Sequence, residues 1–410
     1  MRIIDELRAR NLLFDVTDEK IANKLENEKV TFYLGTDPTG DSLHVGHLVT
    51  FLVAKRLQAL GHKPVILVGG ATGLIGDPKQ QGERKMLTLD VTNKNLVCLE
   101  KQLREVFGFE TVVNNYDWIS KINVIEFLRD YGKCFNVNTM INKETVKARL
   151  DSGISYTEFS YQILQSLDWL HLLQSHGCKM QIGGQDQWGN MTAGTDLIRK
   201  KLGNEVEAFA FTIPLIVKAD GTKFGKSEGG SSVWLDPNKT SPYEFYQFWI
   251  NIPDSEVKTR LLQFTFLSIE EIEEVIKEWE KKPEDRLAQK VLAREVTTFV
   301  HGKEKCEQAI HVSEALFSGD YTSLTSEEIE MGFKDLDVTD GNGKTLIDLV
   351  IELNLASSKR EAREFISNGA ITLNGEKCTD MNHNITREEA IGGKYVIIRR
   401  GKKKCAMIKL

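Results

Sequence analysis

In the N-terminal half of the chain, short runs rich in β-branched and aromatic residues alternate with helical patterns, and each run ends in a loop crowded with glycine and polar residues. The runs are 30–35, 64–68, 179–182 and 211–217; the loops include 69–73, 76–78 and 183–187. This alternation predicts a parallel sheet flanked by helices, a far narrower choice than composition allows. In open α/β sheets ligands sit beyond the carboxyl ends of the strands, so these loops should converge on one crevice. From Asp117 to about Ser155 the pattern turns helical, which reads as an insertion between two halves of the sheet.

The first run breaks at Asp37-Pro38-Thr39 into His44-Val45-Gly46-His47, which opens a helical pattern; much later comes Lys223-Phe224-Gly225-Lys226-Ser227. A helix N-terminus with unfilled amides favours anions, and two loop lysines supply cations, so together the segments describe a triphosphate site. Alone, each is weak. His-x-Gly-His also fits surface histidines or part of a metal site, and paired lysines are commonly just solvated. On the helix beginning near Thr157, the residues Tyr161, Gln165 and Asp168 fall on one face, while Ile163, Leu164, Leu167, Trp169 and Leu170 cover much of the rest. Such a stripe is either a solvated face or, on a mostly buried helix, the wall of a polar cavity.

At 410 residues the chain should hold two or three domains. Its six scattered cysteines form no Cys-x-x-Cys pair and read as reduced thiols rather than a disulfide framework or zinc site. The N-terminal pattern mixes both charge signs, unlike a presequence, and no apolar stretch suffices for a bilayer, so a cytoplasmic protein with no membrane partner is expected. Net charge is −6, yet from Gly341 onward thirteen Lys and Arg face eight Asp and Glu, a net of +5. The tail therefore reads as a separate basic module, with Lys359, Arg360, Arg363, Arg399, Arg400, Lys402, Lys403 and Lys404 as phosphate-neutralising charge, although basic runs also merely solubilise. After Ser241 come charged helical patterns, one opened by the capping box Ser268 to Glu271.

The histidine and lysine segments resemble the two signatures of class I aminoacyl-tRNA synthetases, with Phe224 and Gly225 where Met and Ser are commonest. Stretches 69–78, 115–118, 158–165, 181–190 and 241–250 are similar to the bacterial-type tyrosyl-tRNA synthetases, and the resemblance runs essentially end to end. It implies a Rossmann-like catalytic domain over 1–222 with a helical insertion at about 117–155, a signature loop and linker over 223–240, and an α-helical anticodon-side domain over 241–325. A linker over 326–343 and a small α+β RNA-binding domain over 344–410 would follow. The implied reaction activates tyrosine with ATP, giving tyrosyl-adenylate and pyrophosphate, then transfers tyrosine to the 3′ end of tRNA(Tyr).

By the same resemblance Thr39, His44, His47, Lys223, Lys226 and Arg84 carry the chemistry. Tyr33 and Asp168 would take the phenolic hydroxyl, Asp77, Tyr161 and Gln165 the ammonium group, and Gln187 the carboxyl region, with Gln181 in support. Gly35, Asp37, Gly46, Gly184, Asp186, Thr50 and Ser227 would surround ATP, Asp186 at its ribose. The loop 78–83 is one residue shorter than in such relatives, with Gln80 in place of a lysine, which leaves Arg84 on the pyrophosphate side. Segments 358–363 and 369–375 are similar to a small RNA-binding module also found in a ribosomal protein. Magnesium would arrive with ATP, with no metal site held by the protein, and a homodimer would form through the insertion. Two rivals stand beside this reading. A tryptophan enzyme of the same subclass would not call for the pair Tyr33 and Asp168, and an RNA-binding protein that had lost catalysis would not call for intact signatures.

Overall fold

The apolar runs of the N-terminal half pair side by side. In the computed structural model, which describes residues 2–79, 82, 84–217, 221–222, 224–225, 230–334, 336–401 and 404–410, five strands form one parallel sheet. They are β1 (Thr31–Thr36), β2 (Lys63–Val68), β3 (Val112–Asn114), β4 (Met180–Gly184) and β5 (Phe209–Ile213), in the order β3-β2-β1-β4-β5. Phe32, Tyr33 and Leu34 of β1, Val65 to Val68 of β2 and all of β5 are buried, so the strands read as continuous apolar runs without alternation. Strand order reverses between β1 and β4, which opens a crevice beyond Thr36 and Gly184.

Helices α1 (Val45–Ala59), α2 (Leu89–Glu105), α3 (Tyr156–His176) and α4 (Trp188–Leu202) connect and cover the sheet. Ser155 caps α3 by accepting the N–H of Glu158, and Gly177 ends the helix in the left-handed conformation at φ 68°. Trp169, Leu172 and Met191 are buried where α3 meets α4, in a core that also contains Tyr33. The stretch expected as a strand over 211–217 ends early, at Ile213, because Pro214 stops the ladder; residues 214–217 line the crevice instead. The segment of about 117–155 consists of short helical turns, among them Val137–Ile141 and Glu144–Lys147.

Next come α5 (Pro242–Ile250), α6 (Asp254–Phe264), α7 (Ile269–Trp279), α8 (Leu287–His301) and α9 (Lys303–Ser318). The capping box expected at Ser268 opens α7. These helices are divided between two compact units, Met1–Asp236 with Ile252–Ala288 and Pro237–Asn251 with Gln289–Leu410. The helical stretch expected over 241–325 is therefore shared: α6 packs on α1 in the first unit, and α5 packs on α9 in the second.

In the second unit a mixed sheet has the order β6-β10-β9-β7-β8, from β6 (Val338–Asp340), β7 (Ile371–Leu373), β8 (Glu376–Lys377), β9 (Tyr395–Arg400) and β10 (Lys404–Lys409). Helices α10 (Leu346–Glu352) and α11 (Lys359–Ser367) share its core through Leu349, Ile366 and Ile398. A second cluster joins Val312, Tyr321, Ile329 and Phe333 to Tyr395, Ile397 and Met407. The basic tail is therefore not packed as an isolated module, since its strands bury side chains from before residue 334. No helix among the described residues is long and apolar enough to cross a membrane.

Candidate active site

At the crevice between β1 and β4 lies a cleft of about 700 Å³, a size suited to small-molecule ligands. Every described residue expected at a catalytic, tyrosine or ATP position lines it. Lys223, Lys226 and Ser227 lie outside the described residues, as do Lys402 and Lys403 of the tail. A smaller cavity of about 210 Å³ sits at the opposite ends of the strands, beside Val30 and Met180. Of its lysines, Lys24 and Lys179 pair with Glu28 and Glu207, and Lys29 Nζ donates to Leu60 O.

His44 is the residue preceding α1. Its Nδ1 accepts the Gly46 N–H at 3.0 Å, while Nδ1 of His47 accepts the His44 N–H at 3.3 Å. Each ring must then carry its proton on Nε2. The rings stack with centroids 3.9 Å apart, and a Cβ on residue 46 would lie 2.8 Å from the His44 ring, so only glycine lets that ring rest on the backbone. The amides at this helix start are not open to an anion as the sequence suggested. Val45 N–H bonds Val233 O at 2.9 Å, Gly46 N–H bonds the His44 ring, and His47 N–H bonds His44 O at 2.8 Å. The donors that α1 contributes to the cleft are therefore imidazole Nε2–H groups, and burial pushes the His47 pKa down to about 3, keeping it neutral.

Elsewhere on the lining of the cleft, Tyr33 Oη and Gln181 Oε1 are buried without a hydrogen-bond partner among the described residues. An unpaired buried polar atom costs about 1–3 kcal/mol, and a phenolic hydroxyl, at once donor and acceptor, is the kind of group that removes that cost. Asp168 accepts from Asn115 Nδ2 and Trp118 Nε1, both at 2.9 Å, and Trp118 stacks on His171 with centroids 4.4 Å apart. Asn115 and Trp118 received no role from the sequence; the only signal was their place in a resembling stretch.

Burial raises the Asp168 pKa to about 8, against the two hydrogen bonds that favour the carboxylate. An acid raised in the fold loses its stabilising contribution as pH rises from its ordinary range to about 8. A phenol donating to Asp168 favours the ionised form. With Asp168 receiving the phenol of tyrosine, as the resemblance implies, affinity for tyrosine should strengthen between pH 6 and 8, by at most about tenfold per unit, and Asp168→Asn should flatten the trend. Equilibrium dialysis with labelled tyrosine across that range checks it; affinity that weakens with rising pH would contradict the assignment.

Asp37, expected beside ATP, bonds two side chains of the cleft wall. It accepts from Thr72 Oγ1 at 2.6 Å and from Tyr161 Oη at 2.9 Å, and Asn115 Nδ2 bonds Thr72 Oγ1 at 2.9 Å. The side chain fits there because residue 69 is glycine, where a Cβ would fall 2.1 Å from Asp37 Oδ1. Burial raises Asp37 to about 6, with Asp77 adding to the effect. Asp77 in turn accepts from Gln187 Nε2 at 3.0 Å and from Lys143 Nζ at 3.1 Å; Lys143 also bonds Asn190 Oδ1 at 2.7 Å. Asn190 Nδ2 reaches Gln165 Oε1 at 3.0 Å. Neither Lys143 nor Asn190 was singled out from sequence, yet the lysine shows that this carboxylate can receive a primary ammonium.

On the remaining wall, a Cβ at Gly184 would meet Asp186 Oδ1 at 2.6 Å, so the glycine lets that exposed carboxylate lie against the backbone. Arg84 Nε donates to Asp77 O at 2.6 Å. The described part of the lysine segment is seated firmly. Gly225 O accepts from Val233 N–H at 2.9 Å, and Phe224 lies 4.3 Å beneath the Arg260 guanidinium of α6, whose Nη2 also bonds Val217 O at 2.6 Å.

In the second unit the expected RNA contacts divide. Arg360 and Arg363 are exposed on one face of α11, with Lys359 exposed beside them and paired to Asp348 at 3.0 Å. Arg399 and Arg400 are instead committed to the protein. Arg399 Nη1 donates to Tyr321 Oη at 2.7 Å, while Arg400 Nη1 donates to Leu355 O at 2.5 Å and its guanidinium stacks 4.7 Å over Phe365. Lys404 Nζ bonds Asn354 O at 3.3 Å. Arg399 and Arg400 end β9 and Lys404 opens β10, where the paired strands bring them beside these partners.

Residues 25–318 match a family profile described as class I tRNA synthetases for tryptophan and tyrosine, and residues 328–408 match the C-terminal domain of tyrosine–tRNA ligases. A Bacillus cereus protein called tyrosine–tRNA ligase 2 is 52% identical over 100% of both chains. A tyrosine–tRNA ligase of Listeria innocua is also 52% identical, covering 100% of this chain and 99% of its own. The structure of a C-terminally truncated mitochondrial tyrosyl-tRNA synthetase from Aspergillus nidulans aligns with a TM-score of 0.70 at 30% identity, over 77% of this chain and 94% of that one. A tryptophanyl-tRNA synthetase from Encephalitozoon cuniculi shares the fold, with a TM-score of 0.56 at 16% identity over 74% and 87%. With both profiles and full-length relatives in agreement, the chain belongs to the class I tRNA synthetases, in their bacterial-type tyrosyl branch.

Proposed function

We propose that this chain activates L-tyrosine with ATP and transfers it to the 3′ end of tRNA(Tyr). The observation that carries the reading is one cleft lined both by the buried Tyr33, Gln181 and Asp168 and by the paired histidines at the start of α1. The tyrosine carboxylate attacks the α-phosphorus, and the bond to the bridging oxygen of pyrophosphate breaks. Negative charge moves onto phosphate oxygens, where Nε2–H groups of His44 and His47, the Thr39 hydroxyl, and the cations of Arg84, Lys223 and Lys226 stabilise it. Magnesium belongs to the ATP substrate and screens its phosphates. Asp77, Gln165 and Tyr161 orient the amino group, so the carboxylate faces the nucleotide. Charging of tRNA(Tyr) by the purified protein, resolved on acid gels, tests the whole reaction; absence of tyrosine-dependent charging would overturn it.

In this reading the second unit holds tRNA through Lys359, Arg360 and Arg363. The double variant Arg360→Glu, Arg363→Glu should leave adenylate formation unchanged, raise KM for tRNA by about tenfold or more, and flatten its salt dependence. Steady-state charging at several salt concentrations checks this, and equal loss of adenylate formation would contradict it. A homodimer through the segment of about 117–155 is supported by the exposed apolar side chains Val124, Ile125, Leu128 and Val137.

A further inference from the structure

We infer that the buried ion pair Arg149–Glu158 is a positioning device for the loop that carries Arg84. Its consequence for catalysis rests on the function proposed above. Glu158 stands in the first turn of α3 and Arg149 in the segment before it; both are almost fully buried, and Arg149 Nη1 lies 3.1 Å from Glu158 Oε2. Their other bonds go to loop backbone. Glu158 Oε1 accepts the N–H of Arg84 at 2.7 Å, and Arg149 Nη1 donates to Gly82 O at 2.7 Å and Lys79 O at 3.4 Å. Arg149 Nε donates to Gly153 O at 3.1 Å, which ties the arrangement to its own segment.

Burying two charges is costly, and apolar residues of similar volume often serve stability equally well. What such residues cannot do is hold three points of an irregular loop by hydrogen bonds. Clasped at 79, 82 and 84, the loop delivers Arg84 to the cleft with its Nε on Asp77 O and its Cδ against Gly76, where a Cβ would lie 2.6 Å away. Arg149 and Glu158 are thus positioning residues that act through Arg84, and the placement of Lys79, Gly82 and Arg84 is what they protect.

The double variant Arg149→Met, Glu158→Gln removes both charges while leaving an acceptor at 158. It should lower kcat for tyrosine-dependent pyrophosphate exchange ten- to hundredfold and raise KM for pyrophosphate, with tyrosine affinity and melting temperature near wild type. Arg84→Ala should give a similar loss, and adding it to the double variant should cost little more. Arg149→Lys, which keeps the paired charge and poses less risk to folding, should move kcat in the same direction by less. Two results would overturn the inference: tyrosine affinity and melting temperature falling together with kcat in Arg149→Lys, or the losses from Arg84→Ala and the double variant multiplying independently. Wild-type exchange is measured first. Its absence would sink the proposed function, whereas active wild type with unaffected variants would sink the positioning role alone.

Discussion

His47→Ala should lower kcat for tyrosyl-adenylate formation by about 10²–10³, the effect of removing one donor aimed at developing phosphate charge. The change deletes an Nε2–H donor, the acceptor for the His44 N–H and the ring stacked on His44, so its effect includes loosening of the second histidine. It should leave tyrosine affinity nearly unchanged, because the positions proposed for the phenol and the ammonium draw on β1, α3 and the turn after β2. Rapid-quench measurement of adenylate formation with separate titration of tyrosine distinguishes the two quantities. A rise in tyrosine Kd as large as the fall in rate would contradict the assignment. Because His47 is held neutral down to about pH 3, kcat should show no titration of this group between pH 5 and 8. Tyrosine binding should titrate in that range through Asp168, so the two donor systems separate by pH as well as by substitution.

Asp168→Ala should be the complementary lesion. It removes the carboxylate and leaves the donors Asn115 Nδ2 and Trp118 Nε1 without their acceptor. A lost charged hydrogen bond together with newly unpaired donors amounts to about 3–5 kcal/mol, or roughly two to three and a half orders of magnitude in kcat/KM for tyrosine. KM for ATP should stay within about twofold, since Asp168 bonds Asn115 and Trp118 of the segment after β3, not the helix that carries the histidines. Preference for tyrosine over phenylalanine should shrink as well, because the residue proposed to receive the hydroxyl has gone. Exchange kinetics with both amino acids measure this. Equal damage to ATP and tyrosine would place Asp168 in the framework of the fold instead.

The parts of the molecule that were legible from sequence are those where one physical demand dominates. Strands β1, β2 and β4 stand out because both faces are buried, and α3 because three polar residues interrupt an apolar helix that packs on all sides. Strand β3 escaped notice: it has three half-buried residues, too few for a pattern. β10 was hidden by the basic run preceding it, whose charge suggested a separate basic module, while Ala406 and Ile408 enter one core cluster and Met407 the other. Within the site, residues supplied by strand ends were found, whereas Lys143, Asn115 and Trp118 were not. Their roles depend on partners on other elements, namely Asp77 on the loop after β2 for Lys143 and Asp168 on α3 for the other two. Likewise, nothing in the sequence around Arg399 and Arg400 points to Tyr321 and Leu355, which hold them.

Exchange of labelled pyrophosphate into ATP, run with each of the twenty amino acids in turn, bears most directly on the central claim. The pairing of Tyr33 and Asp168 with the histidine cap of α1 calls for exchange with tyrosine and background rates with tryptophan and phenylalanine. Exchange selective for tryptophan, or none with any amino acid, would contradict it.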